Sequence, residues 1–154
     1  MRFLVFGAGV IGSLYAGKLA LAGHDVELVA RGRRLTELEK EGLGLFDEVR
    51  GRAESAPVRP VAAGAPATPY DAVFVALRRD QLEEALPELA RLGAARAFVT
   101  MTNGADIARI AGPLGADRLI LGFPGAGGTR RPDGSIAYRI VPGIVQLTTL
   151  GGSA

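Results

Sequence analysis

Cysteine is absent from this sequence of 154 residues, and histidine occurs once. Without cysteine the chain can form no disulfide, thiolate nucleophile, zinc–thiolate site or iron–sulfur cluster. The one histidine lies in the turn Gly23-His24-Asp25, which we interpret as a structural position between a helix and a strand. We therefore expect no metal site in this chain.

A strong charge of one sign and a basic tract are also missing. Lysine and arginine together number 18 against 16 acidic residues, which gives a formal net charge of +2. This balance argues against a nucleic-acid partner. The first apolar run reaches a glycine by Gly7, too early for a signal peptide or a membrane span. We predict a cytoplasmic protein without nucleic-acid or membrane partners.

Length and composition favour one folded unit. Apolar residues make up 48% of the chain and charged residues 22%, as in ordinary globular proteins, and 154 residues suffice for one hydrophobic core. We predict a single domain over residues 1–154.

Short apolar runs alternate with segments of helical periodicity. This alternation predicts an α/β fold of the Rossmann type, a doubly wound and mostly parallel sheet with helices on both faces. The turn Pro132-Asp133-Gly134 between strand-like segments adds an antiparallel C-terminal extension. The predicted strands are 2–6, 26–30, 72–77, 97–101 and 119–122, the predicted helices are 13–22, 35–41, 81–92 and 106–111, and residues 46–69 are predicted as short strands and loops.

A glycine-rich loop follows the first predicted strand. Its sequence, Gly7-Ala8-Gly9-Val10-Ile11-Gly12, matches G-x-G-x-x-G and lies between a strand and a helix. In a dinucleotide-binding domain the first glycine permits the tight turn, the second lets the backbone approach the pyrophosphate, and the third allows close packing. The helix N-terminus then offers free N–H groups to phosphate. A glycine-rich turn without a ligand is the alternative interpretation.

The end of the second predicted strand indicates which dinucleotide binds. NAD-specific domains usually place a carboxylate there, but this chain reads Val29-Ala30-Arg31-Gly32-Arg33-Arg34. A guanidinium suits a 2′-phosphate, so Arg31 favours NADP(H). Glu27 is a rival ribose ligand, although it lies inside the strand. The arginines could instead form a solvated turn, and this alternative is stronger for Arg33 and Arg34.

Over nearly its whole length the sequence resembles the N-terminal half of the ketopantoate reductase (2-dehydropantoate 2-reductase) family. Five segments carry this resemblance, and together they are far more specific than the glycine loop alone. The segments that carry the resemblance, in family order, are GAGVIG from Gly7, AGHDVELVARG from Ala22 to Gly32 with Arg31 near its end, LRRDQ from Leu77, Thr102-Asn103-Gly104, and GFPGAGG from Gly122 to Gly128.

The resemblance implies roles for individual residues. The loop Gly7 to Gly12 would hold the pyrophosphate, Arg31 the 2′-phosphate, and Gly128 would line the cofactor cleft near the nicotinamide. Asn103 would lie beside the nicotinamide ribose and the substrate, which fits an amide placed just after a strand, although a plain turn is the alternative. The family's lysine after the third strand is replaced by Arg78, which keeps the charge but not the geometry. Arg78 could contact phosphate or substrate, or be a solvated loop residue.

The family continues into a helical domain that supplies its catalytic lysine and most substrate contacts, whereas this chain ends at Ala154. Its two lysines, Lys18 and Lys40, do not suit that role. The resemblance thus implies an NADP(H)-binding domain that needs a helical partner domain to reduce a 2-oxo acid such as 2-dehydropantoate. A related dehydrogenase with another substrate, or a non-catalytic nucleotide sensor, are the alternatives. Apolar surface left by a missing domain would also favour a homo-oligomer.

Overall fold

The computed structural model describes residues 1–64, 69–103 and 106–140, together with the backbone of residues 146–149. Four helices and eleven strands are assigned in these ranges, along with a short 3₁₀ turn at Ala116–Arg118. In chain order they are β1 (Arg2–Phe6), α1 (Val10–Leu21), β2 (Asp25–Ala30), α2 (Gly32–Glu41), β3 (Leu43–Asp47), β4 (Arg52–Ala56), β5 (Arg59–Ala62), β6 (Ala72–Val75), α3 (Arg79–Ala90), β7 (Phe98–Thr100), α4 (Ile107–Leu114), β8 (Leu119–Phe123), β9 (Ala126–Arg130), β10 (Ile136–Ile140) and β11 (Gln146–Thr149).

The larger sheet has seven strands in the order β11-β8-β7-β6-β1-β2-β5. Strands β5, β2, β1, β6, β7 and β8 are parallel, and β11 pairs antiparallel with β8. The strand order reverses between β1 and β6, which is the switch point where a doubly wound sheet opens a crevice for ligands. The predicted Rossmann-type fold is therefore confirmed.

A second sheet of four strands, in the order β4-β3-β10-β9, packs on the other side of α1. Strands β9 and β10 form an antiparallel hairpin closed by the Arg131 N–H, which donates to the Ser135 carbonyl at 2.9 Å. The prediction of an antiparallel C-terminal extension is confirmed. The pairing of β10 with β3, in contrast, joins segments about ninety positions apart in the sequence and was not predicted.

Buried side chains form two cores, one on each face of the seven-stranded sheet. Leu14 and Ala16 of α1 share the first core with residues of both sheets, among them Leu45. Leu82 of α3 and Ile110 of α4 belong to the second core. Helices cover both faces, as predicted.

Two helices begin earlier than their sequences indicate. Helix α1 begins at Val10 and α2 at Gly32, three residues before each predicted start. The residues that precede them, Gly9 and Arg31, are extended and make no side-chain capping bond. The usual sequence signal of a helix start was therefore missing.

Some apolar side chains remain exposed on the strands near the end of the chain. Phe123 of β8 is 53% exposed and Ile140 of β10 is 45% exposed. Exposed apolar side chains of this kind are often covered by another chain or domain in a larger assembly. Self-association stays a prediction. No helix within the described ranges has the length and apolar character required to cross a membrane.

Candidate functional site

A cleft of about 590 Å³ opens at the carboxyl ends of β1, β2 and β6. Its walls are the loop Gly7–Ile11, the end of β2 from Val29 to Arg31, and the segment Ala76–Arg78 after β6. Part of α3 and Met101 close it further. The cleft therefore lies at the switch point of the sheet, where the topology predicts a ligand site.

Two glycines of the loop are required by the fold itself. Gly7 has φ +115°, and a Cβ atom there would lie 2.6 Å from the Ala76 carbonyl oxygen. A Cβ on Gly12 would lie 1.8 Å from the Gly7 carbonyl oxygen. Both values are below any distance that a real Cβ contact shows, so these positions admit no side chain without backbone movement.

Gly9 differs from both, because a Cβ added there would meet no atom of the described residues within 4 Å. Its backbone, with φ −74° and ψ −169°, is one that any residue adopts. The fold therefore gives no reason for the missing side chain. A ligand that lies closely against the loop would explain why this position has no side chain.

The N-terminus of α1 faces this open space. Gly9 is its N-cap residue and offers no side-chain cap, and the first turn contains no acidic residue. The uncapped N–H groups and the positive end of the helix dipole suit an anion such as a pyrophosphate. Ser13 does not compete, since its hydroxyl donates to the Ala8 carbonyl at 3.2 Å.

Arg31 lies at the rim of the cleft as the N-cap residue of α2. Its side chain is 63% exposed, and its Nη2 lies 3.1 Å from the Glu88 carboxylate of α3. An exposed ion pair of this kind contributes little, so the guanidinium can exchange Glu88 for another anion at small cost.

Glu27, the rival ribose ligand, is engaged elsewhere. Its side chain is 5% exposed and does not line the cleft. Arg2 donates to it at 2.7 Å, the Tyr70 hydroxyl donates at 2.7 Å, and Arg59 forms an ion pair with it. Burial alone would raise the pKa of Glu27, but the hydrogen bonds from Tyr70 and Arg2 and the charges of Arg59 and Arg2 lower it on balance.

Arg78 also lines the cleft, on the side opposite Arg31 along the sheet edge. It is the N-cap residue of α3, its side chain is 75% exposed, and its Nη2 lies 3.4 Å from the Asp80 carboxylate. The backbone N–H of Arg78 is held by the Gln81 side chain at 3.2 Å. The structure thus brings Arg78 to the same cleft as the glycine loop.

Asn103 and Gly128 are not among the residues that line the cleft. Asn103 is exposed and follows Thr102, whose hydroxyl donates to the Leu77 carbonyl at 2.8 Å and ties this segment to the cleft wall. Gly104, which completes the Asn-Gly step, lies outside the described residues. Gly128 packs in β9, where an added Cβ would lie 2.4 Å from the Ala137 carbonyl oxygen of β10 and 3.2 Å from Val10 at the start of α1. Their predicted roles stay predictions.

Two further arginines of the cleft were not assigned to the site by the sequence analysis. Arg34 lines the cleft from the first turn of α2, and Arg130 lines it from the end of β9. The three-residue spacing of Arg31 and Arg34 at the start of a helix could have indicated a shared side. Nothing local marked Arg130, because β9 reaches the site through the second sheet.

Comparisons with known proteins support the resemblance to the ketopantoate reductase family. A model of the ketopantoate reductase PanE/ApbA family matches residues 3–151. A 2-dehydropantoate 2-reductase of Mesorhizobium japonicum is 36% identical over 160 aligned residues, which include 95% of this chain and 48% of that protein.

Solved structures show a closely similar fold. The 2-dehydropantoate 2-reductase of Geobacter metallireducens GS-15 superposes with a TM-score of 0.80 at 26% identity, covering 97% of this chain and 50% of that one. A D-mandelate dehydrogenase solved with NADH and anilino(oxo)acetate has a TM-score of 0.82 at 20% identity, covering 99% and 50%. The chain therefore spans about half the length of these relatives.

Proposed function

Because the chain belongs to the ketopantoate reductase family, we propose that it is the NADP(H)-binding part of an oxidoreductase of pantothenate biosynthesis. The whole protein would reduce a 2-oxo acid, such as 2-dehydropantoate, to the 2-hydroxy acid. The observation that carries the proposal is the meeting of the glycine loop and Arg31 in one cleft at the switch point of the sheet.

The loop Gly7 to Gly12 would hold the pyrophosphate. The open space at Gly9 and the uncapped N-terminus of α1 fit that group, as described above. When bound, the cofactor supplies the hydride for the reduction. The chain's own contribution is to fix the position of the dinucleotide at the sheet edge.

Arg31 would select the phosphorylated dinucleotide. The fold by itself does not make this choice, since the D-mandelate dehydrogenase of the same fold was solved with NADH. Arg31 lines the cleft at the end of β2, where NAD-specific domains carry a carboxylate, and Glu27 is occupied by Arg2, Arg59 and Tyr70. The end of β2 thus offers a guanidinium and no carboxylate of its own, which favours a 2′-phosphate.

We assign supporting roles to three further residues. Asn103 would offer its amide to the nicotinamide ribose and the substrate, and Arg78 would contact phosphate or substrate from the cleft wall. Gly128 would line the cofactor cleft near the nicotinamide end.

The reduction also needs a group that protonates the nascent alkoxide, and no lysine of the described ranges lines the cleft. Lys18 pairs with Glu54 and lies 4.7 Å from the centre of the Tyr138 ring, while Lys40 is exposed on α2. We propose that the 154-residue chain binds NADPH but shows little or no turnover without a helical domain. Reduction of 2-dehydropantoate by this chain at ordinary enzymatic rates would contradict that.

Calorimetric titration with NADPH and NADH tests the proposed function. We expect wild type to prefer NADPH, and Arg31→Ala to weaken NADPH binding by about tenfold or more while leaving NADH unchanged, because a charge-assisted hydrogen bond is lost. Arg33→Ala is the matched control, since Arg33 is 93% exposed and outside the cleft. A wild type that binds neither dinucleotide would refute the proposal, and an undiminished preference in Arg31→Ala would refute the role of Arg31.

A further inference from the structure

Three guanidinium groups from three places in the chain converge on the β2 end of the cleft. Arg31 caps α2, Arg34 is in the first turn of α2, and Arg130 ends β9 of the second sheet. No acidic residue lies in the first turn of α2, so its uncapped N–H groups add positive potential at the same point.

Glu37 is the shared ion-pair partner of two of these guanidinium groups, those of Arg34 and Arg130. Glu37 pairs with Arg130, with Arg34 at 3.5 Å, and with Arg33 at 2.8 Å. Within the described residues, Arg34 and Arg130 have Glu37 as their one ion-pair partner and share it with Arg33, while Arg31 pairs with Glu88, so this end of the cleft keeps an excess of positive charge. Such an excess attracts an anion, and more strongly where the groups are shielded from water.

The side chain of Arg34 shows most clearly that its guanidinium has too few hydrogen-bond acceptors and counter-ions. Its side chain is 11% exposed, its Nη1 donates to the Gly134 carbonyl at 3.0 Å, and its Nε is buried with no acceptor in the described part of the chain. Burial, followed by the charge of Arg130, lowers the pKa of the Arg34 guanidinium against the opposing effects of Glu37 and Glu41. A buried donor without an acceptor is a cost to the fold, and because Arg34 lines the cleft, an anion there would compensate the charge of its guanidinium.

We propose that Arg34 and Arg130 join Arg31 to form the subsite that recognises the 2′-phosphate, with Glu37 as the competing counter-ion. The inference rests on the proposed function and extends it, because it gives the second sheet a part in cofactor choice through Arg130. A dianionic phosphate would compete with Glu37 for Arg34 and Arg130, and fork-shaped guanidinium groups suit its oxygens.

The test compares nucleotides that differ by the 2′-phosphate alone. The 154-residue chain is titrated with NADPH and NADH, and with adenosine 2′,5′-bisphosphate and 5′-AMP. Arg130→Gln and Arg34→Lys should each weaken the two 2′-phosphorylated ligands by about tenfold and leave the other two unchanged. Glu37→Gln should tighten the phosphorylated pair. Arg33→Gln is the control, because it removes the same charge and the same partner outside the cleft.

Arg34 also holds the β9–β10 hairpin through its bond to the Gly134 carbonyl, so Arg34→Lys is the variant at risk of folding poorly. In that case Arg130→Gln decides the test, because the Arg130 side chain is 42% exposed. Variants that retain the full preference, or lose affinity for all four ligands equally, would overturn the inference while the proposed function stands. Binding of the bisphosphate alone, dependent on Arg130, would keep the inference and refute dinucleotide binding. Binding of no ligand would overturn both.

Discussion

Glu27 is buried and Arg34 is 11% exposed, so both are charged side chains largely shielded from water in the segment from β2 to α2, yet their surroundings differ. Glu27, in the amino-terminal half of β2, receives hydrogen bonds from Arg2 and Tyr70 and an ion pair from Arg59. Arg34, beyond the carboxyl end of β2, shares one carboxylate with other guanidinium groups and keeps an unpaired Nε.

The difference separates charges that serve the fold from charges that serve a ligand. A buried ion whose partners all belong to the chain stabilises the native arrangement, because loss of any partner leaves an uncompensated charge. A buried ion with too few partners is a cost to the fold, and it is retained where function requires it. The glycine loop shows the same division, since Gly7 and Gly12 are required by packing and Gly9 is not.

The largest expected effect on stability comes from Gly12→Ala. The new Cβ would lie 1.8 Å from the Gly7 carbonyl oxygen, so the backbone must move. We expect the free energy of unfolding to fall by about 3 kcal/mol in urea titration followed by circular dichroism. Gly112→Ala is the control, because a Cβ at this α4 position meets no atom within 4 Å in the part of the chain that the structure describes and should stabilise the helix slightly. Equal effects of the two substitutions would contradict the distinction between glycines that packing requires and glycines that it does not.

A smaller loss is expected for Glu27→Gln. The substitution removes the charge that compensates Arg2 and Arg59 and weakens the bond from Tyr70. Since both arginine side chains are partly exposed, we expect a loss of about 2 kcal/mol in the free energy of unfolding, with NADPH affinity unchanged. Asp25→Asn is a suitable comparison, because Asp25 pairs with Arg2 at an exposed position. A change in NADPH affinity would place Glu27 in the cofactor site instead.

The Glu27 effect should also depend on pH. The pKa of Glu27 is lower in the folded chain than its ordinary value of 4.5, so the unfolded state binds the proton first as pH falls. The stabilisation is therefore complete above about pH 4.5 and is lost as pH falls through the folded-state pKa. Wild type and Glu27→Gln should accordingly converge in stability in acid, and a constant difference from pH 7 to pH 3 would contradict this account.

Local signals predicted the parts of the fold that local chemistry determines. Short apolar runs predicted the parallel strands β1, β2, β6, β7 and β8, while β5 falls in a segment predicted only as short strands and loops. The Pro132-Asp133-Gly134 turn predicted the β9–β10 hairpin. The pairing of β10 with β3 could not be predicted, because it depends on how distant segments cover α1. Arg130 was missed for the same reason, since its position in the cleft follows from that pairing.

The start of α2 explains the other omission in the site. With a helix expected from residue 35, Arg34 would belong to a turn, whereas α2 begins at Gly32 and carries Arg34 in its first turn. The loop Gly7 to Gly12 and Arg31 were identified because their spacing relative to β1 and β2 is itself the signal.

The smallest effect on stability, and the most direct test of the central claim, is expected at Gly9. Gly9→Asp and Gly9→Asn both place a good N-cap residue in open space at the start of α1, so both should unfold within about 1 kcal/mol of wild type. Calorimetric titration with NADPH then decides whether the loop holds the pyrophosphate. The account predicts that Gly9→Asp abolishes binding through its negative charge, and that Gly9→Asn weakens it less. A folded Gly9→Asp chain that binds NADPH as tightly as wild type would contradict it.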